Sequence, residues 1–182
     1  MNFFKKPVGA VICAVILCAG ILIFNTQSKL GGEISAVEDE FFENADGQRS
    51  IYSRLQEKIQ AANGLWTVLV NYDEAAARDL EYERDYLVWA CEDAHISSMK
   101  YANDDLNDEF ARAVRLLDTY ELTDREQELV NEYETNFNGA QKMIDENGYN
   151  SSVLEFMRST YNKFPTRALA EFAGVYPPET FN

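Results

Sequence analysis

Glu92-Asp93-Ala94-His95 is an E-x-x-H pair, the spacing that on one helical turn projects a carboxylate and an imidazole to the same side, as di-metal helical bundles require. Those centres draw the pair from two helices, and His95 is the only histidine in the chain. Di-iron chemistry, H-E-x-x-H zinc hydrolysis and any relay needing a second histidine therefore lack their parts, and His95 reads as structural or solvent-exposed. A second concentration of oxygen ligands, Asp104, Asp105, Asp108 and Glu109, could offset its own repulsion with a hard cation, but its spacing fits no known loop and reads as a solvated face. From Asp145 to Phe156 a calcium loop would want glycine sixth and glutamate twelfth, and it meets Asn150 and Phe156. Cys91 follows Trp89 and Ala90 without a C-x-x-C partner and reads as a small core residue. The residues supply no catalytic set, no metal ligands and no cofactor site.

Elements must position whatever remains, and the first of them is apolar. From Pro7 to Phe24 the chain reads PVGAVICAVILCAGILIF, uncharged throughout. As a helix it spans roughly 27 Å, close to a bilayer's hydrocarbon thickness. The exit, Phe24-Asn25-Thr26-Gln27-Ser28, has no A-x-A-like cleavage site, so the segment reads as a retained anchor rather than a signal peptide. Leu17 stands where lipoprotein processing before Cys18 would need a small residue. Lys5 and Lys6 precede the segment and Lys29 alone follows closely, opposed by Glu33. The positive-inside rule then predicts residues 1–28 as a cytoplasmic stub and transmembrane signal-anchor, with a domain over 33–182 outside the cytoplasm.

Beyond the lysine pair, 14 basic residues face all 31 acidic ones, a net of −17. Nucleic acid and anionic lipid surfaces are poor partners for such a charge. With Cys13 and Cys18 in the apolar run, the rest holds only Cys91, which excludes a disulfide framework there.

Gly31-Gly32 predicts a break after the membrane, and a helix is expected to begin near Gly47. Ile51, Leu55, Ile59, Ala62, Trp66 and Leu69 then share one helical face, ending at Asn71-Tyr72-Asp73; Gly64 inside this helix costs propensity. Asp73 or Asp79 caps a segment from about Ala75 to Asp118, striped by Tyr82, Tyr86, Trp89, Ile96, Met99, Leu106, Phe110, Val114 and Leu117. Its length suggests a break near Asn103-Asp104-Asp105. Thr123-Asp124-Arg125-Glu126 is a capping box ahead of Val130, Tyr133, Phe137, Ala140 and Ile144. Gly148 suits a left-handed helix end, and Ser152 with Glu155 repeats the cap before Val153, Phe156, Met157, Tyr161 and Phe164. Asn150-Ser151-Ser152 fits a glycosylation sequon but is sufficiently explained as a cap. Pro165 opens a short helix, Thr166 to Phe172, and after Gly174 and Pro177-Pro178 a tail lies back with Tyr176 and Phe181. The expectation is an all-α protein: one transmembrane helix, then an antiparallel up-and-down bundle of about four long helices. The aromatic load, 10 Tyr, 11 Phe and 2 Trp, reads as core.

Tyr149-Asn150 ahead of Val153 and Phe156, together with the closing YNKFPTRALAEFAGVYPPETF, resembles the LemA family. That family ends in a tyrosine-asparagine helix running into Phe-Pro, a short helix and an aromatic-tipped tail. The resemblance covers about the last 35 residues, and its positions here are Tyr149, Asn150, Tyr161, Asn162, Phe164, Pro165, Leu169, Ala170, Gly174 and Phe181. It implies an N-terminal membrane helix, a long antiparallel bundle and no established enzymatic activity; family descriptions also place the short N-terminus outside. The partners expected are the lipid bilayer through Pro7 to Phe24 and another membrane or envelope protein, with no nucleic acid. Two functions follow: a non-enzymatic scaffold at the cell membrane, or a ligand-binding sensor bundle that signals through a separate partner.

Overall fold

A computed structural model describes residues 7–43 and 49–181. Gly47, where a helix start is expected, and the Lys5-Lys6 pair used for orientation lie outside the described residues. All regular elements among those described are helical: α1 (Pro7–Phe42), α2 (Ile51–Leu69), α3 (Glu74–Asp93), α4 (Ile96–Leu117), α5 (Asp124–Asp145), α6 (Tyr149–Phe156), a π-helical turn (Met157–Tyr161) and α7 (Thr166–Ala173). The chain divides into two compact units, one of residues 1–39 and 151–178, the other of residues 40–150 and 179–182.

The second unit is the helical bundle. Within it α2 packs on α5, α3 and α4, and α3 packs on α4. Its core holds Leu55, Leu65, Leu69, Leu80, Leu87, Met99, Leu106 and Leu117, all fully buried. Each such side chain contributes about 1.5–3 kcal/mol by leaving water. The helix starts are built by local side chains. Ser50 accepts from the Ser53 amide at 3.1 Å, and Asp73 accepts from Ala75 and Ala76 at 3.0 Å each. Thr123 and Glu126 form the expected capping box, with the Thr123 amide donating to Glu126 at 2.9 Å.

The long segment breaks at Ala94-His95, where Ala94 is left-handed (φ 56°), and Asn103-Asp104-Asp105 lies inside α4. A left-handed alanine costs roughly 1–2 kcal/mol. The reversal is favoured because it lets Leu80, Leu87, Ala90 and Cys91 on one half and Met99, Leu106, Phe110 and Leu117 on the other all become buried. Consequently Tyr82 and Trp89 lie on the outer face, 69% and 53% exposed. Gly148 is not left-handed; α5 closes through the Glu146 amide, and Asn147 accepts from the Tyr149 amide at 2.8 Å. Ser152 and Asn150 therefore lie within α6 rather than capping it. Gly64 has a tertiary reason: a Cβ there would meet the Tyr133 ring at 2.4 Å.

The first unit carries the apolar segment. α1 runs unbroken through Gly31-Gly32 for 36 residues. Each glycine costs about 1 kcal/mol relative to alanine, but Leu30 and Ile34 on either side are buried with Phe156, Tyr161 and Ala170. From Ala14 on, α1 is long and apolar enough to cross a membrane. α7 follows a cis Phe164-Pro165 peptide and ends at Gly174, whose φ of 68° suits glycine. The Val175 amide then closes back on the Ala170 carbonyl at 2.9 Å.

Candidate functional site

The six motif positions do not converge on one place. Tyr149 and Asn150 belong to the bundle unit, and Tyr161, Asn162, Phe164 and Pro165 to the other. Tyr149 is buried, its ring set edge-on to Phe41 at 5.3 Å, and its hydroxyl donates to the Glu179 carbonyl at 2.6 Å. Asn150 accepts from the Phe181 amide at 2.7 Å, and buried Phe181 lies 5.3 Å from Phe41. The Glu179 carboxylate in turn accepts from the Ser97 amide at the start of α4, at 2.8 Å. These residues form a latch that ties residues 179–181 to the bundle. The tail lies back through Phe181 as expected, whereas Tyr176 is 81% exposed.

In the other unit buried Tyr161 donates to the Val175 carbonyl at 3.0 Å, holding the stretch after α7. Exposed Asn162 ends the π-helical turn, its amide donating to the Met157 carbonyl at 2.9 Å. Phe164 and Pro165 are exposed. Each of these polar groups satisfies backbone that the local structure would otherwise leave unpaired.

The residues weighed for chemistry are separated by the same geometry. Glu92 lies in the last turn of α3, while exposed His95 lies beyond the left-handed Ala94, so the pair never shares one helical turn. Among the described residues, no group of three His, Cys, Asp or Glu side chains is placed to hold a metal ion. Cys91 is buried, which pushes its thiol up to about 11 and away from thiolate reactivity. Asp104 pairs with Lys100 at 3.1 Å. Glu109 is buried against Arg112 at 2.6 Å, and burial raises its carboxyl above the ordinary value.

Sequence reasoning missed the most unusual group in the bundle, Lys58. Its side chain is fully buried between α2, α4 and α5. The ammonium donates to the amide oxygens of Asn103, Asn107 and Gln141, and lies 4.5 Å from the centre of the Phe137 ring. Three donors meet three acceptors, and the ring face adds a cation–π contact. Burial lowers the Lys58 pKa to about 7, against the pull of Asp145 and Asp104. The signal was present in the sequence: Lys58 is three residues after Leu55 and four before Ala62, on the apolar stripe.

Among the described residues, two clefts on the bundle carry polar side chains. One of about 390 Å³ is floored by Asn107, Phe110, Phe137 and Gln141, beside the lysine network. The other, about 700 Å³, is lined by Arg49, Arg54, Glu57, Gln60, Tyr133 and Asn136. Glu57 receives both arginines, Arg54 at 2.8 Å, and the Arg54 Nε is buried without a hydrogen-bond partner. A cleft with two guanidiniums sharing one carboxylate suits an anion.

No protein-family model matches the chain, and no curated protein or solved structure is significantly similar to it.

Proposed function

We propose that this is a LemA-like, single-pass membrane protein whose acidic bundle acts as a non-catalytic interaction and scaffolding module beside the membrane. The observation that carries the proposal is the division of charge. The unit containing the apolar helix holds six basic and five acidic residues, net +1; the bundle unit holds 10 and 26, net −16. A long apolar helix belongs to the near-neutral unit, and the strongly charged one has the composition of a solvated or docking surface. The groups best able to do chemistry are already engaged, Lys58 by three amides and Cys91 by burial. The LemA-like Tyr149, Asn150, Tyr161 and Phe181 support the same reading by acting as internal fastenings. The lysine pair at residues 5–6 favours a bundle outside the cytoplasm, and the partner would be another membrane or envelope protein. Pull-down of the full chain in mild detergent should recover such a protein at constant stoichiometry, lost on raising salt and lost without residues 7–24. A chain recovered alone from crosslinked membranes would contradict the scaffold.

The Arg49–Arg54 cleft favours a second reading, an anion-sensing bundle. A thermal-shift screen with small carboxylates and phosphates that stabilises the chain, with the effect abolished in Arg54→Gln, would select it.

A further inference from the structure

In the unit of residues 1–39 and 151–178, three aromatic side chains are almost bare: Phe164 at 91%, Phe172 at 72% and Tyr176 at 81% exposure. They belong to α7 and its flanks, and α7 is fastened to α1. The Gln27 side-chain amide donates to the Ala173 carbonyl at 2.8 Å, and Thr166 and Leu169 share a groove with Leu22, Thr26 and Leu30 of α1. Gln27 is three residues past Phe24, the end of the uncharged run, so its backbone lies ~4.5 Å along the helix from that end and the Ala173 carbonyl is within one side chain's reach of that level. The headgroup layer beyond the hydrocarbon is roughly 5–8 Å deep on each side, so this level falls within it. Phe172, largely exposed, therefore stands where aromatic rings are preferred at membrane–water interfaces. Exposed Lys163 flanks Phe164, and Arg167, bonded to Glu171 at 2.9 Å, opens α7 beside it. Past Phe24, on the side of the membrane where α7 lies, this unit carries four basic and five acidic residues, a net of −1, so its charges nearly cancel at the headgroups.

Resting on the membrane-spanning reading of α1, we infer that α7 and its flanks form an interfacial collar, with Phe172 and its exposed neighbours Phe164 and Tyr176 seated in the headgroup layer of the bilayer that α1 crosses. Bare aromatics on a water-facing surface are costly; at the interface the same area is covered by lipid.

Spin labels on single cysteines at Ile16, Phe172, Phe164 and Ser35, with the native cysteines replaced, test this in vesicles of phosphatidylcholine with one-quarter phosphatidylglycerol. Ser35 is exposed on α1, eleven residues past Phe24. The expected pattern is a label at 16 reached by oxygen and not by a polar nickel chelate, labels at 172 and 164 of intermediate accessibility at headgroup depth, and a label at 35 reached freely by the chelate. A label at 16 shielded in hydrocarbon while 172 and 164 behave like 35 would overturn the collar and leave the anchor standing. A label at 16 open to the chelate would overturn the anchor and the collar together. Unchanged circular dichroism of each labelled chain confirms that the fold is intact.

Discussion

The two units solve the problem of exposure in opposite ways. Residues 40–150 with 179–182 bury most of their aliphatic side chains in a core and carry 26 acidic residues, of which Glu109 is buried among those described. Residues 1–39 with 151–178 carry little net charge and leave large apolar side chains bare, Val11, Val15, Ile16, Leu17, Ile21, Leu22 and Phe24 on α1 and again Phe164, Phe172 and Tyr176. Their polar fastenings differ in one respect. Among the described residues, the bundle alone buries an amine in an amide network, while both units also spend a tyrosine hydroxyl on a backbone carbonyl, Tyr149 on Glu179 and Tyr161 on Val175. One unit encloses an apolar core under a strongly acidic charge; the other contains a helix long and apolar enough to cross a membrane.

Substitutions should separate the two units clearly. Phe41→Ala removes a fully buried ring that touches Tyr149 and Phe181, and should cost about 3–5 kcal/mol in urea unfolding of the detergent-solubilised chain. Asn103→Ala leaves a Lys58 donor unpaired in the core, at about 1–3 kcal/mol in the same assay. Tyr149→Phe deletes the bond to the Glu179 carbonyl and should cost about 0.5–1.5 kcal/mol, read also as faster trimming of residues 179–182 by carboxypeptidase. Phe172→Ser, by contrast, should change stability in detergent by less than about 0.5 kcal/mol, because that residue is largely exposed.

The pH dependence sharpens the same contrast. Lys58 has a folded pKa of about 7, below its ordinary 10.5. Between those values the unfolded chain binds more protons than the folded one, so stability should rise with pH through that window and stay level below about 7 as far as this group is concerned. Lys58→Met should flatten the rise, as measured by urea unfolding at pH 7 and pH 9. An equally steep rise in the variant would assign it to other groups.

The residues made much of this legible. Asp73 and Thr123-Glu126 are local signals, since a cap needs only its own first turn, and both appear where expected. Val130, Phe137, Ala140 and Ile144 form the buried stripe of α5 because the helical period alone places them. What depended on tertiary packing was harder to see. No glycine or proline marks Ala94-His95; the break exists because two apolar faces need each other. Gly31-Gly32 reads as a stop, but burial of Leu30 and Ile34 carries the helix through. Tyr82 and Trp89 share a period with core residues and still face outward. Lys58 is not legible as a core group because lysine is ordinarily solvated, and only the positions of Asn103, Asn107 and Gln141 on other helices make its burial tolerable. For the motif positions, the sequence grouped six residues that the fold distributes over two units as separate fastenings.

Whether α1 holds the protein in a bilayer is decided most directly by alkaline carbonate extraction of membranes containing the full chain, beside the same chain lacking residues 7–24. The full chain should stay with the membrane pellet through carbonate and high salt while the shortened one is released. Release of the full chain into the supernatant would contradict the anchored reading.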